Sequence, residues 1–225
     1  MALNINGTTG ISGVDGSVSA PAVTGTDSNT GITFPAADTI KFSTGGVERM
    51  SITNSGVSGI TTGITHARTY RLTSNFTLNS ANAYITSNWE YDDTTGAGFL
   101  GSGWALPSSG VFSFPATGIY EVKAHTSWYG TSGTNTPYGG IAIVGTTDNF
   151  SSEIFRAVAY SSQSDDFLAT RYHNVHVSSI FDITDTSNDK FKIRTARDNN
   201  YNSIVFEGNS NENNTYVEII RLGDT

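Results

Sequence analysis

The clearest strand signal in this sequence is Gly118-Ile-Tyr-Glu-Val-Lys-Ala-His-Thr-Ser-Trp128. Its apolar positions are Tyr120, Val122, Ala124 and Trp128, and its polar positions are Glu121, Lys123 and His125. Successive side chains of a strand point to opposite faces of a sheet. The alternation therefore predicts a strand with one face in a core and the other in water.

Similar signals continue on both sides of this strand. We predict further strands at 67–73, 110–114, 139–145, 153–160, 174–183, 189–195 and 203–207. All 3 Trp and all 10 Tyr lie beyond residue 65, whereas no segment places Ala, Leu, Glu and Lys at helical spacing. The sequence therefore predicts an all-β domain over 65–225, named the knob below, with almost no helix.

Apolar residues fall on both faces of the last predicted strand, Thr215-Tyr-Val-Glu-Ile-Ile-Arg-Leu222. One face carries Tyr216, Ile220 and Leu222, and the other carries Val217 and Ile219. Such a strand belongs at the centre of a sheet that is covered on both sides. In an antiparallel sandwich the second cover is most simply another subunit, so we assign Val217 and Ile219 to an interface between subunits.

The knob also resembles a known family. The hairpin motif G-x-F-x-x-P-x-x-G-x-Y-x-F, typical of the jelly-roll domains of the complement q-subcomponent and the tumour-necrosis-factor superfamily, is matched by Gly110-Val-Phe-Ser-Phe-Pro-Ala-Thr-Gly-Ile-Tyr-Glu-Val122. Val122 replaces the last aromatic residue, and the closing strand stands where it does in that family. The resemblance implies an antiparallel sandwich of ten strands that assembles as a homotrimer.

A shorter β-pattern, named the stalk below, is predicted over 34–64. Its central stretch is Asp38-Thr-Ile-Lys-Phe-Ser-Thr-Gly-Gly-Val-Glu-Arg-Met-Ser-Ile-Thr-Asn-Ser-Gly56, in which two alternating strands are joined by glycine-rich turns. Such a unit has too little chain to cover its own apolar face. It resembles the recurrent T-G-G-x-E-R-M-x-I segment in the shafts of bacteriophage tail fibres, where three identical chains supply the missing partners.

The first 33 residues are rich in Gly, Ser and Thr and poor in aromatic side chains. This composition fits either a flexible tail or an extended arm that becomes ordered on a partner. The apolar residues available for docking are Leu3, Ile5, Ile11 and Val14. In the second interpretation the segment 1–33 attaches the chain to other virion proteins.

Composition limits the remaining possibilities. The chain has 225 residues, 36% of them hydrophobic, and a formal net charge of −8 without long runs of either sign. A clustered basic surface is therefore missing, which disfavours nucleic acid as a partner. The absence of Cys removes disulfides and thiolate metal sites, and we expect no cofactor.

Targeting signals are also missing from the sequence. We find no apolar run of about 18 residues, and Met1-Ala-Leu-Asn-Ile-Asn-Gly7 lacks the basic and apolar regions of a signal peptide. We therefore predict no membrane insertion. A protein made in the host cytoplasm and assembled into a virion fits this pattern.

Candidate catalytic and metal-binding groups are few. His173 and His176 are three positions apart on a predicted strand, so we expect one packed ring and one solvated ring rather than a shared metal. The pairs Asp92-Asp93 and Asp165-Asp166 lie in predicted loops without a calcium-binding frame, so solvated turns are favoured over calcium. We predict no catalytic residues and no metal.

Four loop residues are our candidates for receptor binding. Trp104 and Tyr138 lie beside Gly, Ser and Pro, and Asn211 and Asn213 lie in the loop Gly208-Asn-Ser-Asn-Glu-Asn-Asn-Thr215. Aromatic faces and side-chain amides together suit a saccharide.

The two resemblances predict a trimeric bacteriophage fibre or spike whose distal knob binds a host receptor or glycan. A capsid or tail decoration or adaptor protein is one alternative. A glycan-cleaving tail spike is another, although such an enzyme needs a carboxylate pair that the sequence does not show.

Overall fold

The computed structural model describes residues 4–6, 10–12, 15–59, 63–130, 138–162, 172–198 and 203–225. The chain divides into two compact units, Met1–Thr62 and Gly63–Thr225. The described residues form strands, turns and bends, and none of them forms a helix that could cross a bilayer. The knob boundary that we predicted at residue 65 lies close to this division.

The first unit consists of short antiparallel strands. They are β1 (Asn4–Asn6), β2 (Gly10–Ser12), β3 (Gly16–Ser17), β4 (Ala20–Pro21), β5 (Val23–Thr24), β6 (Gly31–Thr33), β7 (Ile40–Thr44), β8 (Val47–Thr53) and β9 (Gly56–Ser58). Strands β1 and β2 pair with each other, as do β3 and β4, whereas β5 to β9 form one sheet in chain order.

The predicted stalk hairpin is β7 and β8. The two strands meet at Gly45 and Gly46, whose φ angles of 59° and 75° lie in the left-handed region that glycine adopts without strain. Strand β6 pairs with β7, so the boundary that we placed between arm and stalk at residue 33 falls inside one sheet. Of the arm's apolar residues, Ile5 on β1 is paired in register with Ile11 on β2, and Leu3 and Val14 lie outside the described residues.

One face of the five-stranded sheet is apolar, and several of its side chains are exposed. Cross-strand pairing aligns Val23, Ile32, Phe42 and Met50 in one row and Ile40, Ile52 and Val57 in the next. Val23 is 49% exposed and Val57 is 60% exposed. Isolated apolar side chains are ordinary at a surface, but two contiguous rows of them indicate a contact surface.

The second unit is the knob. Its strands are β10 (Ala67–Leu72), β11 (Ser74–Leu78), β12 (Asn82–Tyr84), β13 (Trp89–Tyr91), β14 (Phe112–Ser113), β15 (Gly118–Gly130), β16 (Tyr138–Thr146), β17 (Ile154–Ser162), β18 (Tyr172–Ile183), β19 (Lys190–Arg197), β20 (Ile204–Asn209) and β21 (Tyr216–Gly223). The strands that we predicted are present, and the prediction of an all-β jelly-roll sandwich is confirmed.

Two antiparallel sheets form the sandwich. In the first sheet, β15 pairs with β18 along one edge and with β20 and β21 along the other. Strand β20 also pairs with β11, β21 also pairs with β10, and β10 pairs with β13. In the second, the order is β12, β19, β16, β17, with β14 also on β19. The core between the sheets contains stacked Phe112 and Phe191, whose ring centroids are 4.7 Å apart.

The positions of Val217 and Ile219 correct our interface assignment. Both side chains are 0% exposed within a single chain because they point into the core between the two sheets. The opposite face of β21 carries Tyr216, Ile220 and Leu222, and Leu222 is 48% exposed. The sequence pattern separated the two sets correctly. The set that faces outward is Tyr216, Ile220 and Leu222, rather than Val217 and Ile219.

We name the outward side of the first sheet the open face. Its apolar members include Ile180 on β18, Ile220 and Leu222 on β21, and Tyr172 at the start of β18. Ile180 and Tyr172 are 53% and 59% exposed. A row of ions crosses the centre, where the Lys123 Nζ lies 3.3 Å from Glu121 and 3.7 Å from Glu218.

Candidate ligand-binding cleft

A buried arginine organises the polar end of the first sheet. Arg71 is on β10, opposite Glu90 on β13, and its side chain is only 1% exposed. Its Nε donates to Glu90 Oε1 at 2.7 Å, and its Nη1 donates to Asp92 Oδ1 at 3.1 Å. Its Nη2 also pairs with Asp93. Guanidinium donors are rarely buried without such partners.

The same arginine fixes the loop that follows β13. Its Nη1 donates to Thr94 Oγ1 at 2.6 Å, and the backbone N–H of Thr94 donates to Asp92 Oδ1 at 3.1 Å. Burial opposes the ionisation of Asp92, but hydrogen bonds from Asn213 and Thr94 and the charge of Arg71 outweigh it. The pKa of Asp92 is therefore lowered. Asp92 is an ionised structural partner rather than a proton donor.

The asparagine-rich loop between β20 and β21 packs beside this cluster. The Nδ2 of Asn213 donates to Asp92 Oδ2 at 2.7 Å, and the carbonyl oxygen of Asn214 accepts from the backbone N–H of Ser127 at 3.0 Å. The Nδ1 of His125 lies 3.1 Å from the same carbonyl, and its ring stacks on Tyr216. The base of the loop is therefore anchored to the sheet.

A cleft of about 380 Å³ opens between the two loops. It is lined by Arg71, Asp93, Thr94, Thr95, Ser210 and Asn211. The side-chain amide of Asn211 forms no hydrogen bond within the described part of the chain, and the Asp93 side chain is 77% exposed. Amide, hydroxyl and carboxylate groups that face a shared cleft suit a ligand with many hydroxyl groups.

The structure separates the four predicted binding residues. Asn211 lines the cleft and Asn213 holds one wall of it. Trp104 packs edge-on against Tyr70, and its indole N–H donates to the Leu100 carbonyl at 2.8 Å. Tyr138 belongs to the second sheet, where its ring meets Tyr160.

The other sequence candidates are explained by packing. His173 stacks on Trp128, with ring centroids 4.6 Å apart, and His176 is exposed, as we predicted for this pair. Asp92 and Asp93 share Arg71, and no cluster of three metal-ligating side chains occurs among the described residues. Asp165 and Asp166 lie outside the described residues.

Sequence reasoning missed Arg71 and Thr94. Arg71 sits in a polar stretch of its strand, and its partners are 19 to 23 residues away along the chain. The only available signal was the cluster Glu90, Asp92 and Asp93, because three carboxylates within four positions need a cation nearby when they are partly buried.

Comparison with known proteins places the fold. The solved structure of Eiger TNF from S. frugiperda is similar, with a TM-score of 0.52 and 10% sequence identity over 73% of this chain and 96% of that chain. The knob has a tumour-necrosis-factor-like fold. Murine APRIL at pH 5.0 gives a TM-score of 0.49 with 11% identity, covering 70% of this chain and 98% of that chain.

No family model matches this sequence, and no curated protein matches it. At 10% identity the likeness to Eiger TNF is one of fold, and a fold of this kind is compatible with many functions. The surfaces of the two units therefore carry the evidence on function.

Proposed function

We propose that this chain is a non-catalytic virion fibre or spike protein of a bacteriophage. In this proposal the knob associates as a homotrimer and binds a host surface receptor or glycan, and the first unit attaches to other virion proteins. The observation that carries it is that, among the described residues, each unit has a sheet face with exposed apolar side chains. Three copies of the same chain can cover these faces without a second kind of protein.

The open face has the composition of an association surface. Its apolar side chains at Ile180, Ile220 and Leu222 surround an ion row that is already paired within the chain. Paired charges are less costly to bury than isolated ones, because each keeps its partner when water leaves. The apolar rows of the stalk sheet offer the same kind of contact in the first unit.

Light scattering of the full chain tests self-association. We expect a mass near three times the 23.9 kDa of one chain. The double substitution Ile52→Asp and Ile220→Asp should yield folded monomers, because it places a charge on the apolar face of each unit. Val158→Asp serves as the control, since Val158 is 52% exposed on the other sheet and its substitution should leave the mass unchanged. A stable wild-type monomer would refute the proposal.

The cleft is the proposed receptor site on the first sheet. Asn211→Ala removes an unbonded amide from the cleft, so we expect weaker adsorption to host surface polysaccharide with no change in melting temperature. Asn82→Ala, which changes an exposed asparagine of the second sheet, is the matched control. A fall in melting temperature with Asn211→Ala would make that residue structural.

The same incubation separates the alternatives. Depletion of intact polysaccharide supports a binding protein, whereas release of fragments would support the glycan-cleaving tail spike. The lowered pKa of Asp92 makes this residue unsuited to the role of general acid in a glycosidase, which needs a raised pKa. Incorporation into particles without any adsorption would support the decoration or adaptor role.

A further inference from the structure

The outward side of the second sheet carries an aromatic surface that we name the platform. Its members are Tyr138, Phe150, Phe155, Tyr160, Lys192 and Arg194, from strands β16, β17 and β19 and the turn after β16. Phe155 is 53% exposed and Tyr160 is 57% exposed. The sandwich has its own aromatic core, so these rings are not needed for its packing.

A glycine lets one of these rings approach the sheet closely. Tyr160 lies opposite Gly140, and a Cβ atom at Gly140 would be 2.3 Å from the Tyr160 ring. The Tyr160 ring therefore lies close over the Gly140 backbone, although the residue is 57% exposed. Tyr138 stands almost perpendicular to it, with an angle of 82° and centroids 5.3 Å apart. An open corner of two rings suits the C–H face of a sugar.

Two cations lie beside this corner without carboxylate partners. The Lys192 Nζ is 3.8 Å from the centroid of Phe150, and the Arg194 Cζ is 5.0 Å from that of Phe155. Neither side chain forms an ion pair within the described part of the chain. Their charge is therefore available to an anion.

The nearest acid on this surface is already engaged. Glu153 Oε2 accepts a hydrogen bond of 2.7 Å from the Tyr84 hydroxyl. Burial, together with this bond, raises the pKa of Tyr84 to about 12, so the phenol remains a donor at neutral pH. Glu153 is therefore held by Tyr84 and forms no ion pair with Lys192 or Arg194 within the described part of the chain.

The turn after β16 holds Phe150 in place. Phe150 and Asn149 have φ angles of 66° and 54°, a region that bulky residues seldom adopt. The Thr146 Oγ1 accepts the Phe150 backbone N–H at 2.9 Å and donates to Asp148 Oδ1 at 2.7 Å. An unfavourable backbone that is stabilised by its surroundings often marks a functional site.

We propose that the platform binds an acidic saccharide chain of the polyuronate type. One sugar ring stacks on Tyr160, and the carboxylates of its neighbours pair with Arg194 and Lys192. Arg194 lies opposite Ala142 and Tyr160 opposite Gly140, so two strand spacings and two residues along the strand separate their backbone positions, roughly 12 Å. A disaccharide spans this distance. The site is independent of the cleft and of self-association.

Charge distinguishes an acidic saccharide from the other classes of ligand that stack on aromatic rings. The whole chain carries a formal charge of −8, which opposes a densely charged polyphosphate. A neutral saccharide would gain nothing from two unpaired cations. A chain with one charge per ring fits the spacing of rings and cations on the platform.

Titration of the full protein with a panel of acidic oligosaccharides tests the proposal. The panel comprises oligogalacturonate, oligomannuronate, hyaluronan and heparin fragments, with methyl-esterified oligogalacturonate and maltooligosaccharide as uncharged counterparts. We expect at least one acidic member to bind, with an affinity that falls as salt rises. Tyr160→Ala and Lys192→Gln should each weaken that binding about tenfold at an unchanged melting temperature.

A control separates this site from the open face. Tyr172→Ala removes a tyrosine that is 59% exposed on the other sheet and should not change the affinity. Failure of every acidic member to bind would overturn the proposal. So would equal binding of the methyl ester, preferential binding of a single-stranded oligonucleotide, or full affinity in both platform variants.

Discussion

Ile219→Asp is expected to leave no folded knob. The Ile219 side chain has no exposed surface in a single chain and lies between the two sheets, beside Val217. A carboxylate there would be buried without a partner at a cost of several kcal/mol, which is comparable with the whole stability of a domain. We expect the variant to be insoluble, or to lose its near-ultraviolet circular dichroism and its resistance to protease.

The adjacent residue provides the control. Ile220 is on the same strand but points to the open face, where it is half-buried. Ile220→Asp should therefore fold, because its carboxylate reaches water in the monomer. If both variants folded equally well, the two faces of β21 would be assigned the wrong way round; if both failed, the strand itself would not tolerate a charge.

This pair shows what strand periodicity predicts and what it leaves open. A period of two sorts the residues of β21 into two sets, and the sequence separated these sets correctly but assigned the wrong one to an interface. The choice of which set faces the core depends on the strands that flank β21. Those strands, β10 and β15, pair with it from distant parts of the chain, so their register could not be read locally.

Long strands were predictable and short ones were not. The alternation in β15 and β19 extends over many residues and matches the structure. Strands β12 and β13 have three residues each, too few to display a period. They matter for the site because β13 carries Glu90 and leads into the loop that lines the cleft.

Each binding candidate was predicted from the composition of its own loop. Loop composition drew attention to Asn211, which lines the cleft, and to Tyr138, which is a member of the platform. Their partners were missed because Arg71 and Tyr160 are ordinary strand residues in the sequence. Their importance comes from Glu90 and Gly140, which pair with them across strands.

Arg71→Met should destabilise the knob by about 2–3 kcal/mol. The change retains much of the buried stem but leaves Glu90, Asp92 and Asp93 together without their cation. Loss of one partner from a buried ion pair costs about 3–5 kcal/mol, and the partial exposure of Glu90 and Asp93 reduces this figure. Chemical denaturation at about pH 7 measures the difference.

The pH dependence of that loss distinguishes charge from packing. In the wild type the pKa of Asp92 is lowered, so its contribution to stability is present above the unfolded value of 3.8 and disappears as the pH falls through the folded value. In the variant the crowded carboxylates favour protonation, so acid removes their repulsion. The difference in free energy of unfolding between the wild type and Arg71→Met should therefore be largest at neutral pH and should decrease in acid. Arg68→Met removes a guanidinium that stacks on Tyr91. This variant should lose a small amount of stability, and that loss should not change with pH. A loss for Arg71→Met that stays constant across the titration would mean that packing, rather than charge, is the contribution of this arginine to the cleft.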